Sequence, residues 1–92
     1  MARLSDDEID ERLQSSDWGR QDDSIVREFE FDDFKGAMAF VNKVADAAEA
    51  ADHHPDILVH DWNNVRLTFT NHSEGGLTAD DFEMAGKVDG LV

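Results

Sequence analysis

The chain has 92 residues, of which 40% are hydrophobic; this is enough for one modest core, so we expect a single domain spanning residues 1–92. It contains no cysteine, which excludes disulfides, thiolate nucleophiles and cysteine-based zinc sites. The 22 acidic and 8 basic side chains give a formal net charge of −14, which repels phosphate groups and predicts that the protein binds neither nucleic acid nor anionic membranes.

The acidic residues are spread along the chain, and salt screens the repulsion among them, so the composition suits a high-salt cytoplasm and a halophilic source. No apolar run is long enough to cross a bilayer, and the segment from Met1 to Glu8 lacks the apolar core of a signal peptide. A cytoplasmic location is therefore expected.

The first part of the chain predicts a short helix followed by two strands. Residues 5–8 have the form of a capping box, and Ile9 and Leu13 follow on one helical face. Residues 24–31 alternate with a period of two, which indicates a half-buried strand, and residues 18–21 are its expected hairpin partner.

A long helix follows, capped by Asp32 or Asp33. Its apolar residues recur at steps of three and four and predict one stripe against a sheet, formed by Phe34, Met38, Val41, Val44, Ala45 and Ala48. Pro55 disfavours helical geometry at the preceding residue and is expected to end the helix.

The second part of the chain predicts two more strands, at 57–59 and 65–70, and a last helix that starts at 78–81 and buries Phe82, Ala85 and Val88. The order α-β-β-α-β-β-α, with short turns between paired strands, predicts an α+β fold. We expect a single two-layer domain in which a four-stranded antiparallel sheet carries the helices on one face.

The candidate site lies at the ends of these elements. His53 and His54 stand at the end of the long helix, and His72 follows a strand, where a rigid scaffold often presents functional residues. Imidazole exchanges protons near neutral pH, so these histidines beside carboxylates predict an acid/base site. Glu49 and His53 are four residues apart and are expected to share a helical face.

Simpler roles compete with this hypothesis. Each histidine alone suits a surface or capping position, and Asp81 occupies the capping-box position of the last helix. His60 has no carboxylate or aromatic partner at an informative spacing and is left out of the site. A metal site is the other alternative, with ligands from the three histidines and Asp52 or Asp81, but adjacent side chains at a helix end diverge.

The motifs between the long and the last helix form a pattern: Glu49, His53-His54-Pro55, Trp62-Asn63-Asn64-Val65, His72, Gly76-Leu77-Thr78 and Asp81. This pattern resembles the signature of the pterin-4a-carbinolamine dehydratase family, and the resemblance covers nearly the whole chain. Trp62 stands where tyrosine is more typical, and Asn71 stands where threonine commonly precedes the histidine. These departures bear on substrate orientation, and thus on fine specificity, more than on the histidine set.

The resemblance implies dehydration of a 4a-hydroxytetrahydropterin to the quinonoid dihydropterin, which recycles the pterin used by an aromatic amino acid hydroxylase, with no metal or organic cofactor. It implies His53 and His72 as acid/base groups at opposite faces of the pterin, with His54 as the third catalytic residue, binding the ring and assisting proton transfer. The residues implied to orient the imidazoles or to bind the pterin edge are Glu49, Asp52, Asn71, Ser73 and Asp81.

The resemblance also implies a homodimer or homotetramer. The sequence also allows two other functions. One is a non-catalytic pterin-binding or dimerisation protein, because animal members of the family also act as dimerisation cofactors of a transcription factor. The other is a role in molybdopterin metabolism.

Overall fold

The elements follow one another in the predicted order in the computed structural model, which describes residues 2–92; Met1, the first residue of the predicted domain, lies outside the described residues. They are α1 (Asp6–Leu13), β1 (Gly19–Gln21), β2 (Ser24–Glu30), α2 (Phe34–Ala51), β3 (Asp56–His60), β4 (Asn64–Phe69), a short 3-10 helix (His72–Glu74) and α3 (Ala79–Asp89). Within residues 2–92, no helix is long and apolar enough to cross a membrane.

The four strands form one antiparallel sheet in the order β1-β2-β4-β3. The register of the central pair places Ile25 opposite Phe69 and Phe29 opposite Val65, so these side chains leave the sheet on the same face. That face is buried against the helices, which contribute Ala37, Phe40, Val44, Ala48, Met84, Ala85 and Val88 to the core. The predicted α+β fold is confirmed.

The capping box of α1 forms as predicted. The Ser5 hydroxyl accepts from the backbone N–H of Glu8 at 3.2 Å, and Glu8 Oε1 accepts from the backbone N–H of Ser5 at 3.0 Å. The bond from the Ser5 backbone is the main reason that the pKa of Glu8 lies below its usual value. Ile9 then turns its side chain into the core, which anchors this short helix.

The buried stripe of α2 differs from the predicted one. Val44 and Ala48 are buried as predicted, but Phe34 is 53% exposed and Ala45 is also exposed. Their places in the core are taken by Ala37 and Phe40. Both adjacent faces of α2 are apolar, so steps of three and four residues can be traced along either one. Phe40 decides the rotation, because its ring packs against those of Phe29 and Phe31, with centroids 4.7 and 5.0 Å away.

The last helix, α3, buries Ala85 and Val88 as predicted, but Phe82 is only half-buried. The guanidinium of Arg12 lies over the Phe82 ring, 5.7 Å from its centroid, and covers the ring from the side of α1. The inward positions are filled by Met84 and by the carboxylate of Asp81.

Candidate active site

The site begins with the way α2 ends. Asp52 has the left-handed backbone conformation, with φ 52°, and its N–H donates to the carbonyls of Ala48 and Glu49. The helix therefore ends at Ala51, before the influence of Pro55, so the prediction that the proline ends it is wrong. The left-handed residue turns the chain sharply, and as a result His53 and His54 point to different partners.

His53 is held by a buried carboxylate. Its Nε2 lies 2.6 Å from Asp81 Oδ1, and the side chains of His53 and Asp81 are 16% and 0% exposed. The His53 ring is stacked on Phe69, with centroids 5.9 Å apart and planes 8° apart. An ionised Asp81 fixes the tautomer with the hydrogen on Nε2. Nδ1 has no hydrogen-bond partner among residues 2–92 and is the ring nitrogen that a substrate can use.

Asp81 also performs the capping role that the sequence suggests. Its Oδ2 accepts from the backbone N–H of Thr78 at 2.9 Å, and the Thr78 and Asp81 side chains complete a capping box at the start of α3. The two hypotheses for Asp81 therefore describe one residue, because each carboxylate oxygen serves a different partner.

His54 pairs with Glu49, whose Oε2 lies 3.0 Å from His54 Nε2. The expectation that Glu49 would share a face with His53 is wrong, because the left-handed turn at Asp52 removes His53 from the helix before it completes that spacing. The His54 and Glu49 side chains are 55% and 77% exposed, so this pair sits in solvent.

A cavity of about 440 Å³ opens beside His53. This size lies within the range of small-molecule sites. Four predicted site residues line it, namely Asp52, His53, Asn71 and Ser73. Sequence reasoning missed the wall contributed by α3, which consists of Asp80, Glu83, Met84 and Lys87. Successive members of this set are three, one and three residues apart, so they lie on one helical face. This spacing was the sequence feature from which the wall could have been predicted.

His72 lies in a second cavity, of about 460 Å³, between the β1–β2 turn and the segment that follows β4. Side chains alternate here: Asn71 and Ser73 line the cavity of His53, whereas Thr70 and His72 line the second one. The Ser73 hydroxyl donates to Asn71 Oδ1 at 2.8 Å, which fixes the amide. The structure thus brings Asp52, His53, Asn71 and Ser73 together but places neither His72 nor His54 in their cavity.

The sequence shows no partner for His60 at an informative spacing, but the structure gives it two carboxylate partners. Its Nε2 lies 2.8 Å from Glu28 Oε1, and its Nδ1 lies 3.0 Å from Asp61 Oδ2. These bonds, that of Glu28 first, raise the pKa of His60 above its usual value. Glu28 also accepts from Arg66 Nε at 3.2 Å, which joins the outer face of the sheet across three strands.

The three histidines named for the alternative metal site point in different directions. Within residues 2–92, no three His, Asp or Glu side chains are grouped in a way that would hold a metal ion. The side chains of His53, His54 and His72 turn toward separate partners or cavities, as the divergence at the helix end leads one to expect.

Known proteins resemble the chain over its whole length. Residues 2–91 match the family model described as Pterin 4 alpha carbinolamine dehydratase. Proteins of Acidobacterium capsulatum and Chloroflexus aurantiacus, both named "Putative pterin-4-alpha-carbinolamine dehydratase", are 50% and 48% identical to it over 93 residues. The matches cover 100% of this chain and 100% and 99% of the two relatives.

Solved structures share the fold. A crystal structure described as a transcriptional coactivator/pterin dehydratase from Brucella melitensis is 37% identical, with a TM-score of 0.90 over 97% of each chain. A pterin dehydratase-like protein described as a RuBisCO assembly factor in the alpha-carboxysome is 21% identical, with a TM-score of 0.68 over 87% of this chain and 92% of that one. Because sequence matches and the first structure agree over nearly every residue, the chain belongs to the pterin-4a-carbinolamine dehydratase family.

Proposed function

We propose that the protein is a 4a-hydroxytetrahydropterin dehydratase that works by histidine acid/base catalysis. The observation that carries the proposal is the 2.6 Å contact between His53 and the fully buried Asp81 at the wall of a cavity large enough for a bicyclic ring. A buried carboxylate that orients one imidazole nitrogen leaves the other poised for proton transfer.

The reaction breaks the C4a–O bond and the N5–H bond, forms the C4a=N5 double bond and releases water. Hydroxide is a poor leaving group, so the departing oxygen needs a proton, which the imidazolium of His53 would supply through Nδ1. N5 then loses its proton to a base or to water, and His53 regains a proton from the base or from solvent before the next turnover. General acid/base catalysis of this kind typically contributes about 10²- to 10⁴-fold.

His72 is proposed as the second acid/base group, as the family resemblance implies, acting from the other side of the turn at 71–74. His54, paired with Glu49, would bind the ring and assist proton transfer, while Asn71 and Ser73 bind the pterin edge. Because His72 and His54 do not line the cavity of His53, their alanine variants should lose less activity than His53→Ala.

The decay of freshly generated 4a-hydroxytetrahydropterin, followed by ultraviolet absorbance in molar salt, tests the proposal. Wild type should accelerate the decay, chelator treatment should leave the rate unchanged, and His53→Ala should lower it by about 10²-fold or more. His60→Ala is the matched control, because His60 lies on the outer sheet face. No acceleration by folded wild type would contradict the proposal.

A role in assembly is the second candidate. The edge strand β3 exposes Ile57 and Leu58, 38% and 47% accessible, and the adjoining turn exposes Trp62 at 61%. An uncovered edge with apolar side chains favours pairing with another chain. We propose a homodimer or homotetramer, which light scattering of wild type beside Leu58→Lys would test; an unchanged mass would remove β3 from the interface.

A further inference from the structure

The α3 wall of the His53 cavity is strongly charged. It presents Asp80 and Glu83, with Asp52 across from them on the turn after α2, so three carboxylates face the cavity against one ammonium, that of Lys87. Glu83 and Lys87 are four residues apart on the helix, a spacing at which opposite charges offset each other. The α3 wall then keeps the negative charge of Asp80, and Asp52 adds a second carboxylate from the opposite side of the cavity.

The position of this wall matters for the substrate side chain. The proposed function places C4a and N5 of the pterin at His53, and C6, which carries the side chain, is the next ring atom after N5. Asp81, which holds His53, precedes Glu83 and follows Asp80 on the same helix. The side chain at C6 therefore starts close to the α3 wall.

We propose that this wall selects the substrate by charge, so that the site accepts pterins with an uncharged, hydroxyl-bearing C6 side chain and rejects those that carry a carboxylate or phosphate. Hydroxyl groups can donate hydrogen bonds to Asp80 and Glu83, whereas an anionic group meets like charge in a partly enclosed space. Asp80 and Glu83 are thus specificity-determining residues. Lys87 opposes their effect, because its positive charge favours an anionic side chain. The inference rests on the proposed function and names its substrate class.

Equilibrium dialysis with two oxidised pterins tests the proposal, since 6-hydroxymethylpterin and 6-carboxypterin share a ring and differ in the charge of the substituent. Wild type should bind the neutral pterin at least about 10-fold more tightly at about 0.1 M salt. The ratio of the two dissociation constants should move toward unity at about 1 M salt, because the Debye length falls from about 10 Å to about 3 Å.

Variants assign the effect to the wall. Asp80→Asn combined with Glu83→Gln should reduce the ratio to near unity by improving binding of 6-carboxypterin, and Lys87→Gln should widen it. Glu30→Gln, which removes one carboxylate from the outer face of the sheet, is the matched control and should leave the ratio as in wild type. Circular dichroism should be used to check that each variant folds. If the double variant unfolds, Lys87→Gln alone still tests the proposal, because it should increase the ratio.

The outcomes separate the two proposals. Equal affinity of wild type for both pterins, or a ratio that the wall variants do not move, would overturn charge selection while dehydration persists. If wild type neither binds either pterin nor accelerates dehydration, the proposed function itself fails and charge selection fails with it.

Discussion

Asp81 shows how one side chain can serve both fold and site. Its Oδ2 caps α3 through the backbone N–H of Thr78, and its Oδ1 holds His53. The capping pattern is local and can be read from the sequence, whereas the contact with His53 joins residues 28 positions apart. Only the packing of α3 beside the end of α2 brings them together.

Replacing Asp81 by Asn should impair both roles. We expect the dehydration rate to fall by at least about 10-fold, because an amide stabilises the imidazolium less than a carboxylate does. The free energy of unfolding should fall by about 1.5–3 kcal/mol, the usual range for a hydrogen bond to a charged group. Steady-state kinetics and urea unfolding measure the two effects.

The capping box of α1 supplies the control for this variant. Glu8→Gln removes the same kind of charge from the same position of a helix, but Glu8 is exposed and touches no histidine. It should leave the rate unchanged. An Asp81→Asn protein with the wild-type rate would show that His53 does not depend on this carboxylate.

His60 predicts a pH dependence of stability. The carboxylate of Glu28, and then that of Asp61, raise its pKa in the folded protein above the ordinary value of 6.5. The folded state therefore binds the proton more tightly than the unfolded state does. This contribution is fully present below pH 6.5 and is lost as the pH rises through the folded pKa.

Urea unfolding across this range measures the effect. The free energy of unfolding of wild type should decrease as the pH is raised from about 6 to about 8. His60→Gln should flatten that part of the profile, and Glu28→Gln should flatten it more than Asp61→Asn does, in keeping with the order of the two causes. A slope that survives in His60→Gln would assign it to another group.

At the scale of elements, the alternation of the strands predicted their buried faces, whereas the helical periodicity of α2 did not. Residues 24–31 and 65–70 alternate because one sheet face is buried and the other is wet, so period two identified both central strands and their inward faces. In α2 two adjacent faces are apolar, and only the ring contacts of Phe40 with Phe29 and Phe31 choose between them. His60 was missed for the same reason, because its bond to Glu28 depends on how β3, β4 and β2 pair.

The end of α3 is attached to the sheet through Asp89. Its Oδ1 accepts from Trp18 Nε1 at 2.9 Å and from Arg27 Nη1 at 2.6 Å, and the Arg27 guanidinium also lies 4.5 Å from the centroid of the Phe29 ring. Asp89→Ala leaves both donors without this acceptor, so we expect the free energy of unfolding to fall by about 1–2 kcal/mol.

Asp17→Ala is the matched control for Asp89→Ala. Asp17 also pairs with Arg27, at 3.7 Å, but its side chain is 80% exposed, and exposed pairs of this kind contribute little. Its loss should change the free energy of unfolding by less than about 0.5 kcal/mol. Equal effects of the two variants would show that Asp89 contributes only surface charge and does not anchor α3.

At the scale of the whole molecule, charge is the dominant feature. The 8 basic side chains cannot offset the 22 acidic ones, so the chain keeps a formal net charge of −14 however they pair. The core is modest in size, and its stabilisation must exceed this repulsion for the chain to fold. The balance therefore depends on how well the solvent screens charge.

Salt should accordingly stabilise the protein. Raising KCl from about 0.1 M to about 1 M shortens the Debye length from about 10 Å to about 3 Å, which removes most repulsion between exposed carboxylates. The midpoint of urea unfolding should rise steadily over this range, and sucrose at matched water activity should raise it less, because it does not screen charge. The slope against salt should decrease in a variant that combines Asp10→Asn with Glu30→Gln, two exposed positions outside the cavities. A midpoint that does not respond to KCl would mean that the repulsion persists in the unfolded chain, and the acidic surface would then give the folded state no dependence on salt.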